Sequence, residues 1–135
     1  MQMERFVSRL ASARIGATFN FYRDGAGARL RRQRLRDYLE SRIDAPLLLV
    51  GEAPGYRGAR VSGLPFTSER QLTGRGPTEA TATIVQRVLA ELELDALCWN
   101  VVPRIQALRP RTAARPGPRS SPLAPSSTSW RRIDA

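Results

Sequence analysis

The run LLLVGEAPG, Leu47 to Gly55, joins four consecutive large apolar residues directly to a turn built from Gly and Pro. Four such residues in a row suit a strand covered on both faces, as in a parallel sheet flanked by helices. Gly51 lets the chain turn without a Cβ clash, Pro54 fixes one φ angle, and Gly55 permits a positive φ. A tight loop is therefore expected at the carboxyl end of this strand, where open α/β sheets bind their ligands.

The segments on either side complete an α/β pattern. Phe6, Val7 and Leu10 recur at helical spacing within Met3 to Ile15, which predicts a short amphipathic helix. Thr18 to Tyr22, TFNFY, is an aromatic cluster enclosing Asn20, expected to anchor the chain against the sheet edge; the alternative is a pocket wall. Ala28 to Ile43 reads as a second helix with Leu35, Tyr38, Leu39, Arg42 and Ile43 on one face and Arg31, Arg32, Arg34 and Arg36 on the others. Such an arginine face is either solvated surface or a contact for DNA phosphates.

Beyond the turn, Tyr56 to Gly76 lacks periodicity, and a loop of that length in a compact domain is usually functional or disordered. Within it Phe66 follows Pro65, where its ring could stack on a planar ligand or simply plug the loop into the core. Gly76, Pro77 and Thr78 open the clearest helix, with Thr78 a candidate cap and Glu79 suited to the positive end of the dipole. Its apolar stripe, Ala80, Ile84, Val85, Val88, Leu89 and Leu92, is expected to cover the sheet. Leu97 to Val102, LCWNVV, is the next strand, completing a βαβ unit with parallel strands. Asn100 interrupts that strand, so its amide must bond to neighbouring backbone or face a pocket.

Composition limits the chemistry. A chain of 135 residues is one domain at most. It has no His, which excludes the common zinc sites and any imidazole acid/base step, and its one cysteine, Cys98, suits core packing. No stretch approaches a membrane span, so a cytoplasmic monomer without metal or other cofactor is expected. All 22 cations are Arg against 12 acids. Arg presents a bidentate fork to phosphate, so nucleic acid is the first partner to consider, although GC-rich coding also favours Arg. From Arg104 to Ala135, seven Arg and one Asp contribute +6 of the net +10, amid Pro, Ser and Ala. Such a tail cannot bury enough apolar surface to order itself and is expected to be disordered, either a nonspecific DNA contact or the out-of-frame reading of a GC-rich gene.

GEAPG after a buried strand, G-x-PFT at Gly63 to Thr67, and a later strand ending WNVVP at Trp99 to Pro103 together resemble the uracil-DNA glycosylase superfamily. The resemblance covers roughly residues 47 to 103. It implies a three-layer α/β/α sandwich around a short parallel sheet and cleavage of the N-glycosidic bond of a uracil extruded from DNA. It also assigns roles. Phe66 matches the aromatic that stacks on the flipped base, and Asn100 matches the amide that reads the O4 acceptor and N3-H donor of uracil while refusing cytosine. Glu52 would orient or deprotonate the attacking water, and the turn at Ala53, Pro54 and Gly55 would hold a uracil oxygen or a phosphate through its backbone N-H groups.

The chain also departs from the family. Where iron-sulfur members carry a further acid, it has Tyr56, Arg57 and Gly58, and the cluster-binding cysteines are missing, so it is closer to a cluster-free branch. The family's His-Pro loop, which stabilises the departing uracil anion, has no counterpart. The sequence therefore reads as the first half of a glycosylase fold, residues 1 to 103, lost after its second strand by truncation or frameshift. Two other functions compete: a non-enzymatic Arg-rich nucleic-acid-binding fragment, and a small α/β domain whose GEAPG turn holds a phosphate.

Overall fold

The computed structural model describes residues 2–102 and the backbone of Ile105–Gln106. In chain order the elements are α1 Gln2–Ser12, β1 Thr18–Phe19, α2 Ala28–Arg42, β2 Leu47–Gly51, α3 Ala59–Ser62, α4 Glu69–Thr73, α5 Ala80–Glu91, β3 Ala96–Asn100 and β4 Ile105–Gln106. It is a small α/β fold. β2 and β3 pair in parallel with Leu47 opposite Ala96 and Gly51 opposite Asn100, so the two strands end side by side. Ile105–Gln106, placed in the disordered tail by composition, pairs antiparallel with Phe19 and Thr18. The rest of that tail lies outside the described residues.

Alternation along β3 sets the layers. Leu97 and Trp99 pack against a core of Val7, Phe21, Tyr22, Leu35 and Leu39, which joins α1, α2 and the aromatic cluster. Ala96, Cys98 and Asn100 point the other way and line hollows shared with α5. The aromatic cluster is an anchor that ties β3 to the two N-terminal helices and to the turn after α3: Tyr22 donates from its hydroxyl to Gly63 O at 2.8 Å, and Asn20 Nδ2 donates to Leu10 O and Ala11 O at the end of α1. A fully buried amide there satisfies carbonyls that a helix end leaves open.

Several expectations need correcting. β2 is not covered on both faces: Leu48 is 61 % and Val50 50 % exposed, because the helices lie over β3 and leave β2 at the rim. On α5 the inward line is Ala82, Val85, Gln86 and Leu89, whereas Ile84, Val88 and Leu92 of the expected stripe face outward. That helix is apolar on more than one side, so periodicity alone could not choose the buried one. The segment 56–76 is not wholly irregular but contains α3 and α4; α4 is held by Ser68 N donating to Gln71 Oε1 at 2.7 Å, a local cap with no apolar repeat.

The arginines of α2 act inside the molecule. Arg32 donates to Tyr22 O, Arg31 to Phe21 O and Asp24 O, and Arg36 pairs with Glu4. Arg34 forks onto both Glu69 carboxylate oxygens at 2.8 and 3.0 Å and reaches Ser62 O. This face is not plain solvated surface; it ties α2 to α1, the aromatic cluster and α4.

Tyr38 accepts from Cys98 N at 2.6 Å and donates to Cys98 O at 3.3 Å, and burial pushes its pKa up to about 12. Burial raises Tyr22 in the same direction. A folded-state pKa above the unfolded value of 10.0 gives stability that is complete below that value and lost as pH rises toward 12. Circular dichroism should therefore show the melting temperature falling steeply between these limits, and a Tyr38→Phe variant should flatten part of that fall.

Candidate functional site

The parallel register brings the ends of β2 and β3 together, and Gly51 and Asn100 lie opposite each other there. Gly51 does not sit at a positive φ. Its bare Cα is needed for close approach: a Cβ added there would fall 2.5 Å from Phe66 Cζ and 3.0 Å from Asn100 Nδ2. The ring and the carboxamide thus share the surface of one glycine. Asn100 is 4 % exposed, and its side chain makes no hydrogen bond among the described residues. A carboxamide on the wall of a cavity, without a partner among the described residues, can pair with a ligand there.

Phe66 is aimed by its backbone. Its φ of 49° lies in the left-handed region, a conformation costing a bulky residue about 1–2 kcal/mol. Neighbouring bonds hold it in place. Gln86 Nε2 donates to Phe66 O at 2.9 Å, Thr67 Oγ1 to Pro65 O at 3.0 Å, and Ser62 Oγ to Thr67 O at 2.6 Å. These tethers hold the strained residue on the wall of a cavity.

Ala53, Gly55, Phe66, Thr67, Glu79 and Asn100 line a cavity of about 140 Å³. At about 30 Å³ per water molecule, that is room for a single flat ring and not for a nucleotide. A larger hollow of about 350 Å³ lies at the opposite end of the strands, bounded by Asp95, Ala96 and Arg42. Its position at the amino ends argues against it as the ligand site.

Of the six residues that the sequence nominates, Ala53, Gly55, Phe66 and Asn100 meet at this cavity. Pro54 is buried in the turn, and Glu52 is exposed and absent from the lining. Backbone bonds fix the turn: Glu52 O accepts from Val102 N at 2.9 Å and Gly51 O from Val101 N at 2.9 Å, fastening it to the chain just past β3.

The residue that sequence reasoning misplaced is Glu79. It was expected in the first turn of a helix capped by Thr78, but α5 begins at Ala80 with Glu79 itself as the extended N-cap residue. Its backbone N donates to Ser68 Oγ at 3.0 Å, and its side chain turns into the cavity wall. There the carboxylate lies against Gly55 and Gly58, at neither of which a Cβ would fit. Gly55 is thus required for this contact and not for a positive φ. A carboxylate over this turn also repels a phosphate, which weakens the phosphate-holding alternative. Nothing in the sequence ties Glu79 to this turn, because Gly55 reads there as a positive-φ position.

Among the described residues no helix is long and apolar enough to cross a membrane, and no group of three or more His, Cys, Asp or Glu could hold a metal ion. Cys98 is buried and burial pushes its thiol pKa up, so it is a packing residue. No protein-family model, curated protein or solved structure matches the chain.

Proposed function

We propose that this chain is a uracil-DNA glycosylase-like DNA repair protein that takes an extruded uracil into the cavity at the ends of β2 and β3 and hydrolyses its N-glycosidic bond. The observation that carries this reading is the meeting of the Phe66 ring and the Asn100 carboxamide over Gly51 on a cavity the size of one base. A ring gives the stacking platform, and a carboxamide gives the adjacent donor and acceptor that uracil O4 and N3-H require. Ala53 and Gly55 supply backbone to the wall, and Glu52 stands at the rim of the turn. The chain is read as the first half of the three-layer sandwich of that superfamily. Supporting this are the apolar side chains left open on β2 and α5, which further strands and helices would cover. Without a His to stabilise the leaving uracil anion, hydrolysis is expected to be slow, and uracil-containing DNA to be bound more firmly than it is cleaved.

The test is release of labelled uracil from single- and double-stranded oligonucleotides by the full chain, with binding to uracil and thymine strands compared in parallel. Loss of stacking is worth about 1–3 kcal/mol, so Phe66→Ala should reduce both uracil release and the preference for uracil strands by roughly tenfold to a hundredfold. A full chain that neither releases uracil nor prefers uracil-containing DNA refutes the proposal.

A further inference from the structure

Glu79 Oε2 is buried and has no hydrogen-bond partner among the described residues. Leaving a buried carboxylate oxygen unpaired is costly, so a group held this way needs a reason. Asn100, Phe66 and Thr81 line the same cavity. Glu52, the carboxylate expected to handle water, is exposed, where bulk solvent screens its charge.

We infer that Glu79 is the carboxylate that faces the reacting sugar, holding the attacking water and stabilising the positive charge that develops at C1′. This rests on the glycosylase-like reading of the cavity and supplies the group that the GEAPG turn does not place there. In the step, water oxygen forms a bond to C1′ as the C1′-N1 bond breaks. The bonding pair leaves with uracil N1, and the proton lost by water passes to Glu79. Nothing is oxidised or reduced. Glu79 is backbone-anchored to Ser68 and wedged on Gly55 and Gly58, so its carboxylate is preorganised as such a base must be.

Binding separates this role from a packing role. An oligonucleotide carrying a pyrrolidine ring in place of deoxyribose is cationic and mimics the charge at C1′, whereas the tetrahydrofuran analogue is neutral. With free uracil present, the full chain should bind the cationic strand about tenfold more tightly than the neutral one. Glu79→Gln keeps the shape of the side chain, so it should bring the ratio close to unity while leaving affinity for the neutral strand and the melting temperature nearly unchanged; Glu52→Gln should keep the ratio. A ratio retained in Glu79→Gln overturns the inference and leaves the proposed function standing. Equal binding of both abasic strands and an unmodified strand by the unaltered chain overturns both. Should the Gln variant fail to fold, Glu79→Asp decides: withdrawing the carboxylate by one methylene should cut the ratio by about threefold, and an unchanged ratio counts against the inference.

Discussion

Replacing Asn100 by Asp should reduce uracil release by roughly 30-fold to 1,000-fold, the equivalent of about 2–4 kcal/mol. The side chain is buried beside Gly51 with no partner among the described residues, so its polar atoms are available to a ligand. Asp keeps the size and the acceptor but removes the donor, setting an anion against uracil O4. Uracil then loses one hydrogen bond and gains a repulsion. Under the proposed function, affinity for DNA without uracil should stay within about twofold, because nonspecific binding is set by phosphate and not by base recognition. Release kinetics on single-stranded substrate, with anisotropy on thymine strands as control, measure both quantities. Equal release by Asn100→Asp and the unaltered chain would remove Asn100 from base recognition.

A second large effect is expected from one methyl group. In Gly51→Ala the new Cβ would lie 2.5 Å from Phe66 Cζ and 3.0 Å from Asn100 Nδ2, so neither neighbour can keep its place. The loop cannot simply retreat, because Gln86, Thr67 and Ser62 all hold it. The ring is then expected to swing into the cavity and fill the space proposed for the base. Overpacking of this kind costs about 1–3 kcal/mol of stability, and uracil release should fall at least as far as in Phe66→Ala. A thermal melt and a release assay on the same preparation separate the two losses. A fully active Gly51→Ala chain would mean that ring and carboxamide do not act together.

The sequence and the structure agree where long-range packing leaves a local mark. The run Leu47 to Val50 and the first four residues of Leu97 to Val102 fall in the parallel pair, with Val101 and Val102 exposed beyond the strand, and Leu35 and Leu39 carry the buried face of α2. Phe66 and Asn100 stood out because one follows Pro in a glycine-flanked loop and the other is polar within an apolar strand. What was hidden depends on partners distant in sequence. The arginines of α2 read as surface because their acceptors, such as Tyr22 O and Glu69, come from other segments. Glu79 read as a dipole partner because an acid near a helix start usually is one, and only the folded turn shows its carboxylate on Gly55. The short helices α3 and α4 owe their existence to capping and tertiary ties, which periodicity does not register.

The left-handed backbone at Phe66 sets two demands against each other at one position. Glycine would relax the main chain there, yet it would also delete the wall on which a base could lie. An improvement programme guided by melting temperature alone would thus be drawn toward erasing the proposed base platform, and at residue 66 robustness and the proposed selectivity have to be scored separately.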